Sequence, residues 1–129
     1  MKLLLDTHIW IWSQLTPEKL SPRVRRALVN TANEVWLSPV SIWELVLLVE
    51  KRRMALSCAV EEWVTKAAAP LKEAPLTAQI VLETVRFSLP HPDPADRFLV
   101  ATARNLGLTL VTSDSRLLES KAVSLLANR

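Results

Sequence analysis

Glycine is almost missing from this chain, since Gly107 is the only one in 129 residues. Phosphate-binding loops and G-x-G-x-x-G dinucleotide fingerprints need glycine so that the backbone can approach a phosphate closely. The sequence therefore excludes nucleotide-cofactor enzymes of those two kinds. Cysteine is equally scarce, and Cys58 has no second thiol with which to form an internal disulfide or a zinc site.

Long apolar runs are missing too. No run approaches the roughly 20 apolar residues that a membrane-spanning helix needs, and the apolar residues 3–5 stop at Asp6, too early for a signal peptide. We therefore expect no membrane contact and a cytoplasmic location. Repeats, low-complexity tracts and Gly/Ser linkers are absent as well, and 50% of the residues are hydrophobic. This composition predicts a single globular domain over residues 1–129.

Positive charge is in slight excess, because sixteen Lys and Arg residues outnumber thirteen Asp and Glu residues. Arg23, Arg25 and Arg26 form one basic cluster and residues 51–53 form another. Such an excess suits a polyanionic partner but does not demand one. Each cluster is equally well interpreted as a solvated helix face, so charge alone does not decide the function.

Short apolar runs alternate with segments of helical periodicity. We predict strands over Lys2–Leu5, Glu34–Leu37, Thr109–Thr112 and residues 122–126, the last at the sheet edge. The predicted helices begin near Ser21 or Pro22, cover 42–51, 59–69 and 77–88, run from Asp93 to a stop at Gly107, and end with a turn over 115–119. This order predicts an α/β fold of three layers, α/β/α, around a central, mainly parallel sheet.

Acidic residues fall where such a sheet forms its crevice. Asp6 and Asp114 each follow a strand, Glu44 stands three residues after Ser41 in a capping pattern at the head of a helix, and Asp96 lies in a first helical turn. Four carboxylates in one crevice repel each other unless a cation lies between them. Oxygen ligands alone favour Mg²⁺ or Mn²⁺ over zinc.

Each of these acids has an ordinary structural alternative. Glu44 is explained by the capping pattern alone, Asp96 by the helix dipole, and Asp114 by capping of the turn over 115–119. Asp6 has no capping role in the predicted helices. A purely structural explanation therefore does not cover all four acids together. We interpret His8 as packed at a strand end rather than touching phosphate.

Two further sets of residues are interpreted as structural. His91 is assigned to the loop before Asp93. The five tryptophans are expected to belong to the core or to an interface rather than to stack on bases: Trp10, Trp12, Trp36, Trp43 and Trp63.

Four blocks contain the acids in chain order: LLDTHIW at residues 4–10, SPVSIWEL at 38–45, HPDPADRFLVATA at 91–103 and LVTSD at 110–114. They resemble the signature blocks of PIN domains, above all of VapC-type toxins. The resemblance covers nearly the whole chain and implies a metal-dependent endoribonuclease on a PIN fold. It implies that Asp6, Glu44 and Asp96 are the core acids and that Asp114 is a fourth, all four holding Mg²⁺ or Mn²⁺.

Other expectations accompany the resemblance. Asp93 suits a helix N-cap with a supporting role, and Thr7, Thr112 and Ser113 are expected to donate hydrogen bonds that hold the carboxylates. The family resemblance implies an RNA substrate, a cognate antitoxin protein and a homodimer. Apolar residues such as Leu47 and Val49 are candidate contacts for those proteins.

Three alternative functions fit parts of the same sequence. The main one is a non-catalytic RNA- or protein-binding module on a degenerate PIN fold, whose mark would be a missing core acid; none is missing. A receiver-type signalling domain needs a lysine on a late strand, and Thr109–Thr112 has none. A HAD-like phosphatase needs a D-x-D pair, which residues 6–8 do not contain.

Overall fold

A parallel sheet runs through the part of the protein, residues 1–90 and 93–129, that the computed structural model describes. Within those residues the strand order is β3-β2-β1-β4-β5, and every neighbouring pair is parallel. The strands are β1 (Lys2–Leu5), β2 (Glu34–Leu37), β3 (Lys72–Glu73), β4 (Thr109–Thr112) and β5 (Leu125–Ala127). Because β1 lies between β2 and β4, the residue that follows it is at the middle of the sheet's carboxyl edge.

Helices connect these strands. They are α1 (Thr7–Leu15), α2 (Pro22–Val29), α3 (Pro39–Glu50), α4 (Val60–Ala68), α5 (Ala78–Glu83), α6 (Pro94–Leu106) and α7 (Ser115–Ser120), with a 3-10 turn at Pro17–Lys19. No helix in the described ranges is both long and apolar enough to cross a membrane.

The two faces of the sheet carry two hydrophobic clusters. Leu3 and Leu5 of β1 pack into one cluster with Trp10 of α1, whereas Leu4 packs into the other with Leu99 of α6. Alternate side chains of a strand point to opposite faces, so a strand that is apolar at consecutive positions must be covered on both. The predicted α/β/α layering around a parallel sheet is confirmed.

Several predicted elements agree with the structure. Strands β1, β2 and β4 have the predicted bounds, and Ser21 caps α2 with Pro22 in its first turn. Gly107 ends α6 in the left-handed region at φ 67°. An L-residue with a side chain is strained at such a φ, which explains why this chain's one glycine is found there.

Other elements differ from the predictions. Helix α1 was not predicted, because Ile9, Trp10 and Ile11 are buried in succession and leave no helical spacing to recognise. Strand β3 was also not predicted: its two residues are exposed and charged, and its pairing with β2 defines it. Helix α5 is shorter than the predicted 77–88, and β5 begins three residues later than predicted, although it does lie at the sheet edge.

Candidate active site

Asp6 is held at the carboxyl end of the central strand by three hydrogen bonds. Its backbone N–H donates to the Val111 carbonyl at 2.9 Å. Its carboxylate accepts from the Thr7 backbone N–H at 2.8 Å and from Thr112 Oγ1 at 2.6 Å. Asp6 is therefore the N-cap of α1. The interpretation that Asp6 has no capping role was wrong, because α1 was not recognised in the sequence.

The environment of Asp6 disfavours its charge. Burial raises the pKa of Asp6 above its ordinary value of 3.8 and outweighs the hydrogen bonds from Thr112 and Thr7, which lower the pKa. Among nearby charges, His8 lowers this pKa and Asp114 raises it. A cation near Asp6 would offset both the burial and the repulsion.

Glu44 is tied to Asp6 through Thr7. The buried Thr7 Oγ1 donates to Glu44 Oε1 and makes a 2.9 Å hydrogen bond with Ser41 Oγ. Burial also raises the pKa of Glu44; the hydrogen bond from Thr7 opposes the shift, and the charges of Asp6 and Asp93 add to it. Thr7 thus donates hydrogen bonds to two carboxylates, Asp6 and Glu44, that are far apart in the chain.

The predicted capping pattern of Ser41 and Glu44 was wrong. Helix α3 begins at Pro39, and its N-cap is Ser38, whose hydroxyl accepts from the Val40 N–H at 3.1 Å. Proline is favoured at the first helical position, so the start signal lies three residues earlier than predicted. Glu44 consequently lies in the second turn, where its carboxylate does not cap the helix.

The start of α6 contributes two more acids. Asp93 is the N-cap of this helix, as predicted, and accepts from the Ala95 N–H at 3.0 Å. Asp96 lies in the first turn and is buried, with 6% of its surface exposed. Both carboxylates lie at the positive end of the helix dipole.

Asp114 follows β4 and caps α7, which is the structural alternative considered for it. Its carboxylate accepts from the Arg116 backbone N–H at 2.9 Å and is paired with the Arg116 guanidinium, Nη2 lying 3.1 Å from Oδ2. The backbone N–H of Asp114 donates to Thr112 Oγ1 at 3.0 Å. Thr112 therefore links Asp114 to Asp6. Ser113 is exposed, and its hydroxyl makes no hydrogen bond with the described part of the chain.

Arg116, which was not predicted from the sequence, lies beside Asp114. The hydrogen bond with Asp114 raises its pKa, and the charges of Asp114, Asp96 and Asp93 raise it further. The guanidinium is therefore in contact with Asp114 and within electrostatic range of Asp96 and Asp93. Its position two residues after Asp114 was the signal that could have identified it.

The donor chemistry fits a hard cation. Within residues 1–90 and 93–129, no three His, Cys, Asp or Glu side chains are arranged as a group that could hold a metal ion. The carboxylates are nevertheless linked electrostatically, Asp6 with Asp114 and Glu44 with Asp6. Carboxylate oxygens are preferred by Mg²⁺ and Mn²⁺. Asp6 and Glu44, which also share contacts with Thr7, could hold such an ion. The assignment of Asp96 and Asp114 to the same ion stays a prediction.

A groove of about 240 Å³ opens beside Glu44 and Asp93. Its lining includes Thr7, the acids Glu44 and Asp93, and the cations Lys51 and Arg53. We refer to this space as the Trp43 groove, because Trp43 also lines it. Leu47, one of the candidate partner contacts, is half-buried in its wall, and Val49 is half-buried too.

The histidines differ from their predicted roles. His8 is exposed in the first turn of α1 and lines the Trp43 groove. Its ring makes a tilted contact with the Trp12 ring, with centroids 5.8 Å apart. The interpretation of His8 as packed at a strand end was wrong. His91, assigned to the loop before Asp93, lies outside the described residues.

Four of the tryptophans contact other side chains of the fold. Trp10 is fully buried and meets Trp63 edge-on, while Trp12 and Trp36 are half-buried, each beneath a lysine ammonium. Trp43 differs from all of these, since 52% of its surface is exposed.

Comparison with known proteins agrees with the fold. The profile of the family described as PIN domain matches residues 3–122. Ribonuclease VapC22 of Mycobacterium tuberculosis (strain ATCC 25618 / H37Rv) is 34% identical over 116 residues, covering 89% of this chain and 88% of that protein.

Two solved structures share the fold. One is VapBC2 from Rickettsia felis bound to a DNA fragment from its promoter, with a TM-score of 0.76, 17% identity and 98% of each chain covered. The other is DNA-bound VapBC from Salmonella typhimurium, with a TM-score of 0.74, 20% identity and coverage of 100% of this chain and 99% of that one. By its sequence and by its fold, this chain belongs to the PIN-domain family, among the VapC-type proteins.

Proposed function

We propose that this protein is a metal-dependent endoribonuclease and the toxin of a toxin–antitoxin pair. The observation that carries the proposal is the position of Asp6: a half-buried carboxylate with a raised pKa, at the centre of the sheet's carboxyl edge, linked through Thr7 to Glu44 and through Thr112 to Asp114. The identity to Ribonuclease VapC22 supports the same activity.

The chain's own residues prepare the site in three ways. Thr7 and Thr112 donate hydrogen bonds that fix the orientation of the Asp6 and Glu44 carboxylates, so that little reorganisation is needed when a cation binds. The partial burial of Asp6 strengthens its attraction for a cation relative to a carboxylate in water. Asp93 and Asp96 bring further negative charge to the crevice from the start of α6.

The chemistry that Mg²⁺ or Mn²⁺ supplies when bound is activation of a water molecule and neutralisation of the charge that develops on a phosphodiester. Arg116 is paired with Asp114 by its guanidinium. We propose that it lies beside the phosphate in the complex with RNA, because guanidinium groups match phosphate oxygens in a two-pronged geometry.

The proposal extends to partners. The solved relatives include VapBC complexes, and we propose a cognate antitoxin and a homodimer for this chain. Exposed apolar side chains are candidate contacts for both: Val29, Val81, Leu82 and Val85 are 78%, 46%, 59% and 81% exposed. We also propose that the protein acts in the cytoplasm, where its RNA substrate is found.

The test is cleavage of end-labelled total RNA by the purified protein freed of any antitoxin, in Mg²⁺, in Mn²⁺ and in EDTA. We expect fragments that require the metal and that disappear with Asp6→Asn or Glu44→Gln. Glu50→Gln is the matched control, because Glu50 is an exposed residue of the same helix and does not line the groove. If wild type and Asp6→Asn give the same fragments, the nuclease assignment is wrong and a binding module on the PIN fold replaces it.

A further inference from the structure

The ring of Trp43 has an unusual environment. Within residues 1–90 and 93–129, Trp10, Trp12, Trp36 and Trp63 each contact another ring or a cation, and Trp43 has no such contact. It is more than half exposed, yet it lines the same groove as Glu44, its neighbour in α3. Solvent exposure of so large an apolar ring is unfavourable, and no ring or cation among the described residues compensates for it.

The same groove contains two cations. Lys51 and Arg53 both line it, whereas Arg52 between them does not. In the described part of the chain, neither Lys51 nor Arg53 makes a salt bridge, although Lys66, Lys72, Arg86, Arg104 and Arg116 all do. Within that part of the chain, their charges are therefore not compensated by an ion-paired carboxylate.

The backbone at the end of α3 arranges this pair. Arg52 adopts a left-handed conformation with φ 56°, its N–H donates to the Val49 carbonyl at 3.1 Å, and the Arg53 N–H donates to the Leu48 carbonyl at 2.9 Å. This is a Schellman turn, in which glycine is usual at the left-handed position. Of the three residues in this turn, Lys51 and Arg53 line the groove and Arg52 does not.

We infer that the Trp43 groove binds single-stranded RNA next to the cleavage site, with one base stacked on Trp43 and the adjoining phosphates against Lys51 and Arg53. This inference rests on the proposed function and deepens it. An RNA strand that enters the groove needs positive charge nearby to offset repulsion by Glu44 and Asp93, and Lys51 and Arg53 supply it. Stacking on an exposed ring needs an unpaired base, which excludes duplex RNA.

The test measures RNA binding without cleavage. Fluorescein-labelled ten-nucleotide oligoadenylate and oligouridylate are titrated with the antitoxin-free protein in EDTA, and anisotropy is followed over a series of salt concentrations. For Trp43→Leu we expect about 5- to 150-fold weaker binding, because the substitution removes the ring on which one base stacks. Trp43→Phe, which keeps a ring, should recover most of the affinity.

The paired variant Lys51→Ala/Arg53→Ala tests the interactions with phosphate. The slope of log affinity against log salt should fall by about 1.4, or about 0.7 for each phosphate of a single strand that is no longer neutralised. Arg52→Gly is the matched control, because it removes a charge from the same segment, suits the left-handed backbone and does not line the groove. Arg52→Gly should lower the slope by much less than about 0.7, which is half the fall expected for the paired variant.

The outcomes separate this inference from the proposed function. If metal-dependent cleavage by the wild type is intact but Trp43→Leu and the paired variant bind both oligonucleotides as the wild type does, the groove assignment is overturned and the nuclease stands. Equal affinity for a ten-base-pair RNA duplex would also overturn it. A wild type that neither binds these oligonucleotides nor cleaves RNA overturns both.

Discussion

Replacing Thr112 by valine tests how the site is held together. Thr112 is fully buried, and its hydroxyl donates to Asp6 Oδ2 at 2.6 Å while accepting from the Asp114 N–H at 3.0 Å. Valine has a similar shape but offers neither interaction. Loss of the charge-assisted hydrogen bond costs about 1.5–3 kcal/mol, and the weakened Asp114 N–H interaction costs about 1 kcal/mol. An added buried methyl group returns about 0.8 kcal/mol.

We therefore expect Thr112→Val to lower the free energy of unfolding by about 2–3 kcal/mol, which for a domain of this size is a Tm decrease of roughly 6–15 °C. Urea unfolding and thermal scans in EDTA provide the measurement. Thr112→Ser keeps the hydroxyl and serves as the control: it should lose only the burial of one methyl group, about 1 kcal/mol.

Thr112→Val should also change the pH dependence of RNA cleavage. The hydrogen bond from Thr112 lowers the pKa of Asp6, so its removal raises that pKa further. The acidic limb of the pH profile for RNA cleavage should then move to higher pH in Thr112→Val but not in Thr112→Ser. A Thr112→Val protein with wild-type stability and an unchanged acidic limb would refute the view that this hydroxyl supports the Asp6 carboxylate.

Three further predictions concern single residues. Folding raises the pKa of Asp6 above its ordinary value of 3.8. The contribution of Asp6 to the free energy of unfolding is therefore complete below pH 3.8 and is lost as the pH rises through the raised pKa. In EDTA, wild type should therefore lose stability relative to Asp6→Asn between acidic and neutral pH, and Mg²⁺ should raise the Tm of wild type only. Arg52→Gly should raise the free energy of unfolding in urea by about 0.5–1 kcal/mol. It removes the strain of a left-handed residue that has a side chain, about 1–2 kcal/mol, but glycine loses more conformational entropy on folding, which cancels part of this gain. Ser38→Ala should cost about 1 kcal/mol as a lost N-cap, and an unchanged free energy of unfolding in urea would contradict the observed start of α3.

The elements that could be predicted are those whose signals are local. Strands β1, β2 and β4 are short runs rich in apolar residues, and α6 has an aspartate and a proline at its start and a glycine after its end. The missed α1 had no such signal. Its buried residues follow one another because both the sheet and α3 pack around it, and no pattern within nine residues reveals that.

The candidate acids were found through their positions relative to strands and helices, but two of their local environments were misjudged. Asp6 caps an unpredicted helix, and Glu44 lies one turn further into α3 than expected. Both errors have the same origin: the helix starts were assigned from side-chain patterns, while the actual starts follow from where the chain leaves the sheet edge.

By itself, the sequence determined the parallel α/β fold and the placement of acids after strands, because apolar runs, prolines and the one glycine act on neighbouring residues. Only the tertiary structure decided which groups meet. The hydrogen bond from Thr112 to Asp6 spans 106 positions and that from Thr7 to Glu44 spans 37. It also decided that Trp43 is exposed in a groove with Lys51 and Arg53. Burial and contact between distant segments depend on how the layers pack, and this packing is a property of the whole chain.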